Sequence, residues 1–251
     1  VIGEEPTRRR RRRLRSPRHG GLDRAFAPEP RPERRGLDRA QIIEAALALL
    51  DEVGLEGLTM RRLAERLGVK AASLYWHVQD KDDVLDLMAD AICAEIRPPA
   101  KDLSWRVMTE ELAWECRRVY LSHRDAALVL AATPPLGPNR IRLMELAFSV
   151  LLQGGFMPRD AVYAGFLVND FIIESVTDER RAEDVVATRA SGEESFFADF
   201  QRYLTSLPAE TYPAIIQLAD FMSESDPEPR FRFGLATILD GLEQRLADEK
   251  R

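Results

Sequence analysis

From residue 38 onward, apolar residues recur at three- and four-residue intervals, and no stretch alternates convincingly apolar with polar as a strand would. That periodicity predicts an all-α fold. Ile42, Ala45, Ala46, Leu49, Leu50 and Val53 mark one face of a first helix, and Gly54 supplies its stop. Asp38 and Gln41 stand at the spacing of a capping box at its start. Thr59 is placed to cap a short helix over residues 60–67, with Leu63, Ala64 and Leu67 inward. Gly68 breaks it, and a third helix is expected over 71–77. Asp80 then caps a longer helix with Val84, Leu85, Met88, Ile92 and Ile96 on its apolar stripe, running to about residue 97 before Pro98 and Pro99 end it. Seven more helices are expected near 104–122, 125–132, 139–153, 158–176, 196–206, 211–223 and 229–247. Prolines and glycines fall between or beside them. The polar stretch 178–195 reads as a mobile connection.

Charge divides the chain. Residues 1–36 carry twelve Arg against five acids, with Arg8 to Arg13 in one run among prolines and glycines, so the segment is expected to be a disordered tail. With the whole chain at −6 and this tail at +7, residues 37–251 sum to −13. Such a tail either attracts phosphates nonspecifically or is a solvated extension. Cys93 and Cys116 are the only cysteines, too few for a disulfide scaffold or a four-thiolate zinc site, and His19, His77 and His123 lie far apart. No apolar run approaches the ~18–20 residues of a membrane span, and a cytoplasmic protein is expected. There is no GxGxxG, GxSxG, P-loop or HExxH, so nothing points to an enzyme.

The informative segment is residues 58–89, LTMRRLAERLGVKAASLYWHVQDKDDVLDLMA. Two short helices separated by Gly68-Val69-Lys70 have the arrangement of a helix-turn-helix, whose second helix enters the DNA major groove. Residues 59–81 carry Arg61, Arg62, Arg66, Lys70 and Lys81 against Glu65 and Asp80, a local balance of +3 suited to phosphates. Residues 36–89 resemble the DNA-binding domain of the TetR family. The run Leu74-Tyr75-Trp76-His77-Val78 with Lys81 is similar to that of its tetracycline-repressor subgroup. Leu121-Ser122-His123-Arg124-Asp125, Gly155-Phe156 and residues 231–246 extend the resemblance through the C-terminal region.

The resemblance implies three parts: a tail over 1–36, a three-helix DNA-binding domain over 37–83, and a helical ligand-binding and dimerisation domain over 84–251. It implies that Arg61, Ser73, Tyr75, Trp76, His77 and Lys81 face double-stranded DNA; alternatively Tyr75, Trp76 or both pack partly under their helix. Ala71 and Ala72 stand where the subgroup carries a glutamine and a proline, so the operator is expected to differ. Drug-contacting positions map to Arg97, Leu112, Cys116, Leu130, Thr133, Ala147, Asp170 and Asp178, each of which reads equally as plain bundle core. Histidines that serve a magnesium-bound drug are replaced, so no metal or other cofactor is expected and the inducer should be a different small molecule. Phe233, Leu235, Ile238, Leu239 and Leu242 give the last helix more apolar positions than one stripe needs, which with the resemblance implies a homodimer through 229–247 and either 139–153 or 158–176. The function expected is a repressor released from a palindromic operator by a small-molecule inducer; the alternative is a constitutive or architectural DNA-binding protein.

Overall fold

The computed structural model describes residues 37–187 and 193–248, which belong to one unit; the expected disordered tail over 1–36 lies outside the described residues. Among the described residues there are eleven helices and no strand. They are α1 (Arg39–Gly57), α2 (Met60–Arg66), α3 (Ala71–Leu74), α4 (Lys81–Ala94), α5 (Trp105–Ser122), α6 (Ala126–Ala132), α7 (Pro138–Gln153), α8 (Pro158–Ala187), α9 (Glu193–Thr205), α10 (Pro213–Met222) and α11 (Glu228–Asp248).

The caps read from the sequence form as expected, because each is a contact over three residues. Asp38 accepts from the Gln41 amide at 2.7 Å while the Gln41 side chain takes the Asp38 amide at 3.0 Å, a complete capping box. Thr59 accepts from Arg62 N and Asp80 from Asp83 N. Gly54 interrupts α1 at φ 69°, a left-handed conformation that favours glycine.

α4 organises the rest. It packs on α1 on one side and on α5, α6 and α7 on the other. Its buried Val84, Met88, Ala89 and Ile92 are shared by a single core that runs from Ile42 in α1 to Leu246 in α11. The body is a bundle of α5, α7 and α8 with α11 laid across α5 and α8. The α11 crossing is aromatic: Phe231 lies 4.7 Å from Trp114 and 5.3 Å from Phe171, ring to ring, and the Arg117 guanidinium sits over both Trp114 and Phe231. Arg117 also pairs with Glu179 at 2.8 Å, both largely buried.

A second junction ties α1 to the corner between α5 and α6. The Leu55 amide donates to Asp125 Oδ2 at 2.7 Å, the Arg124 amide donates to Asp51 at 2.9 Å, and His123 Nε2 lies 2.9 Å from Glu95 Oε1. Asp125 is itself left-handed at φ 56°. A Cβ on Gly54 would stand 2.9 Å from Asp125 Oδ2, so the corner closes only against glycine.

Three expectations are corrected. α4 ends at Ala94, not near 97, because the residue before Pro98 is pushed out of helical geometry and Glu95 and Ile96 close the last turn instead. The third helix is regular only over Ala71–Leu74, with residues 75–77 in tighter turns closed by Trp76 N to Ser73 O and His77 N to Leu74 O. The stretch 178–195 is not a connection throughout: α8 continues to Ala187. Its polar extension is laced by Arg181–Asp178 at 2.7 Å, Arg180–Glu183 at 2.6 Å and the Arg117–Glu179 pair; residues 188–192 lie outside the described residues.

Two glycines separate strain from contact. Gly54→Ala should lower stability by about 1–3 kcal/mol from backbone strain with a further loss from the displaced Asp125. Gly68→Ala, at φ 65° with open space around its Cβ position, should cost only the backbone part. Urea unfolding of the two variants side by side checks the order.

Candidate functional site

α2 and α3 meet across Gly68, whose φ of 65° makes the turn, closed by Gly68 N to Glu65 O and Val69 N to Ala64 O. Buried Leu63, Ala64, Leu74 and Val78 lock the pair against α1 and α4. The opposite face is left to solvent. Ser73 and His77 are exposed, Tyr75 is half exposed, and Trp76 is 88% exposed, so Trp76 does not pack beneath its helix. Arg61 is exposed and paired with Glu65 at 2.8 Å, one turn along α2. Lys81, at the start of α4, is half-buried and its ammonium donates to Leu55 O at 2.9 Å, so its charge sits at the end of α1. Sequence reasoning thus placed four side chains on one open surface and two whose cations are already engaged.

A cavity of about 500 Å³ lies inside the body among α4, α5, α6, α7 and α8. Of the eight expected ligand positions, Leu112, Cys116, Leu130, Thr133, Ala147 and Asp170 line it. Arg97 and Asp178 do not, and both are corrected. Arg97 falls after the early end of α4, is exposed, and donates its amide to Glu115. Asp178 lies beyond the cavity on the continued α8, held by Arg181 and Arg230. A wider depression of about 750 Å³ between α1 and α2 is an open surface groove.

Cavity residues that the sequence did not single out include Arg140, Tyr120, Cys93 and Phe148. Arg140 is buried at the start of α7, where its NH1 donates to Thr133 Oγ1 at 2.6 Å, Thr133 O at 3.2 Å and Pro134 O at 3.0 Å, and its NH2 donates to Leu130 O at 3.2 Å. Burial pulls its pKa below the usual guanidinium range, against the opposing pull of the Asp86 and Asp90 carboxylates, yet an arginine remains a cation at neutral pH. One signal was present: a cation in the first turn of a helix opposes the helix dipole and wants a reason to be there. Burial raises the Cys93 thiol to about 11 and the Cys116 thiol to about 12, and pushes Tyr120 well above the phenol range, so all three are neutral at pH 7.

The five expected dimer positions divide. Leu235, Leu239 and Leu242 are buried inside the subunit at 1%, 0% and 7% exposure, so they are intrachain core and unavailable to a partner. Phe233 is 74% exposed and Ile238 is partly buried against the core. α11 therefore has its inward stripe on the leucines, and Gly234 lets Phe171 of α8 approach to 2.5 Å of its Cβ position. Tyr163, Phe166 and Leu167 of α8 are exposed apolar side chains as well.

This arrangement, a helix-turn-helix head sharing one helix with an all-α body around a cavity, is that of a DNA-binding regulator. The model "Bacterial regulatory proteins, tetR family" matches residues 42–88, and "Tetracyclin repressor-like, C-terminal domain" matches residues 98–246. An HTH-type transcriptional regulator of Saccharopolyspora erythraea is 38% identical, over 74% of this chain and 81% of that protein. The class C tetracycline repressor protein of Escherichia coli is 35% identical, over 83% and 91%. The crystal structure of Streptomyces coelicolor ActR, a TetR family protein, in complex with actinorhodin superposes with a TM-score of 0.73 at 34% identity, over 83% of this chain and 96% of that one. The chain belongs to the TetR family of bacterial regulatory proteins. Among the described residues no helix is long and apolar enough to cross a membrane.

The two cavity cysteines give a direct check on these surroundings. With their pKa values raised, the thiolate fraction at pH 8 falls well below the roughly 10% of a free thiol of pKa 9. Native protein should leave both unlabelled by an aromatic disulfide reagent at pH 8, while protein in denaturant yields two equivalents.

Proposed function

We propose that the protein is a cytoplasmic, homodimeric transcriptional repressor, not an enzyme, that leaves a palindromic operator when a small molecule enters the body cavity. The observation that carries this reading is the double attachment of α4. Its first turn follows the helix-turn-helix directly and is tied to the end of α1 through Lys81, and its last turn contributes Cys93 to the cavity wall. A ligand that shifts α4 therefore acts on the reading head without touching DNA. A difference of about 1–3 kcal/mol between the two head positions changes operator occupancy roughly 5–150-fold. Relatives support the reading by name: tetracycline repressor proteins, and an ActR crystallised with actinorhodin.

In this reading residues 37–83 read DNA and residues 84–251 bind effector and partner. Ser73, Tyr75, Trp76 and His77 form the exposed reading surface. Arg61 joins it once its exposed pair with Glu65 exchanges for phosphate, a pair of little intrinsic strength. Lys81 positions the head by holding the end of α1, and the N-terminal dipole of α4 beside it favours a phosphate. A magnesium-bound drug does not fit the donor set: the oxygen of Thr133 already receives the Arg140 guanidinium at 2.6 Å, which sets a fixed cation where a divalent ion would compete. The partner surface is the exposed apolar face of α8 and α11, centred on Phe233 with Tyr163, Phe166 and Leu167. Two-fold pairing there brings two heads to successive major grooves, about 34–36 Å apart.

Two sets of variants test this in gel-shift assays on operator DNA selected from a random pool. Tyr75→Ala and His77→Ala should each weaken binding by about 1 kcal/mol and lower the salt slope by about one unit, with thermal stability unchanged. Phe233→Glu should convert the dimer to a folded monomer by sedimentation and abolish binding to the full site. A monomer that still binds the full site at wild-type affinity would falsify the dimeric reading.

A further inference from the structure

We infer that the floor of the cavity is an acid-binding subsite, so that the effector is a largely apolar organic acid whose carboxylate pairs with Arg140. The inference rests on the reading of the cavity as the effector site. Arg140 is 8% exposed, and among the described residues no carboxylate lies within ion-pair distance of its guanidinium. Buried cations are ordinarily paired, because an unpaired charge is costly to desolvate. Every acceptor it has is neutral: the carbonyls of Leu130, Thr133 and Pro134 and the Thr133 hydroxyl. Two carboxylates of α4, Asp86 and Asp90, act on the guanidinium through space without forming an ion pair with it; Asp90 is spent on the first turn of α7, where it accepts from Asn139 N at 2.8 Å, Asn139 Nδ2 at 2.8 Å and Arg140 N at 3.0 Å.

The donor count agrees. An arginine has five N–H groups, and here NH1 and one hydrogen of NH2 are engaged while Nε donates to nothing among the described residues. The two remaining donors are the number a bidentate carboxylate takes. The surroundings favour that use. Arg140 is the one charged side chain among the buried residues that line the cavity, because the thiols of Cys93 and Cys116 and the phenol of Tyr120 stay protonated. Leu112, Leu130 and Val168 supply apolar wall around it, where a charge is poorly screened. Asp170 and Glu174 also line the cavity, but both are exposed on α8, so the acidic groups stand at the rim and the basic one at the floor. A ligand enters acid end first. The volume of about 500 Å³ suits a drug-sized molecule.

Calorimetry on the full chain without DNA tests this, using anthraquinone-2-carboxylate and 2-naphthoate against their carboxamides at neutral pH. Each acid should bind at least roughly tenfold tighter than its amide. Arg140→Gln should erase the difference, and Arg140→Lys, which keeps the charge but not the fork, should retain part of it. Because Arg140 also braces the α6–α7 turn, the wild-type acid-to-amide ratio is the decisive number and needs no variant. Amides binding as well as acids, or neither acid binding at about 1 mM, overturns the subsite. Gel shifts with the same probes keep the two proposals apart. Acids that bind but leave the operator complex intact sustain the subsite and sink the effector reading. Release by a neutral molecule with no acid binding does the reverse.

Discussion

The attachment of α1 to the α5–α6 corner is the contact on which the geometry of the head depends. α1 breaks at a left-handed glycine, Gly54, and the amide of the next residue, Leu55, is taken by Asp125, 70 positions further on and also left-handed. Gly54 adopts this conformation freely, whereas Asp125, a non-glycine residue, does so at a cost of order 1–3 kcal/mol. The contact between them offsets the Asp125 strain: the Leu55 amide, which would otherwise be an orphan at the broken helix, gains a carboxylate acceptor, and Asp125 gains a fixed partner. Arg124 and His123 surround the same point with Asp51, Glu52 and Glu95. Head and body therefore touch through α4 and through a polar corner that is not interchangeable with packing.

That second contact changes how α4 works. A helix attached at one end only would transmit any displacement freely. Here the end of α1 is pinned to the body through Asp125 and to the start of α4 through Lys81, and both residues grip Leu55, by its amide and its carbonyl. In the proposed reading, displacing the far end of α4 at Cys93 would rotate the head about Leu55. Directed polar contacts of this kind hold one geometry, where apolar packing alone would allow a range of tilts.

Local chemistry was legible in the sequence, and long-range packing was not. Asp38, Thr59 and Asp80 announce their helices because a cap is decided within three residues. The helix-turn-helix was legible for the same reason, with Gly68 between two short apolar patterns. Failures occur where distant parts of the chain decide. α8 runs past its apolar face because Arg117, three turns into α5, supplies Glu179 with a buried partner. The leucines of α11 carry the periodicity of a buried helix, and periodicity does not say whether the burying surface belongs to the same chain or to another. Trp114 and Phe171 answer for this chain, leaving Phe233 outward. At the cavity, mapped positions on regular helices such as Leu112 and Ala147 landed correctly, whereas Arg97 was lost to the preference of a residue before proline for extended backbone.

Arg140 shows why a cavity of this sort is hard to read and why it is informative once seen. The residue braces the turn between α6 and α7 by capping three carbonyls, a structural task that a neutral donor such as glutamine could share. An arginine brings in addition a charge that must stay ionised while buried, and a stable core gains little by keeping it unpaired. The same residue also sits beside the wall that includes Cys93 of α4, the helix that carries the head. A ligand that neutralises the guanidinium thereby alters the electrostatic surroundings of the far end of α4. Charge at the floor and leverage at the wall are in this way two properties of one side of the cavity, and a ligand recognised by the first is placed to act on the second.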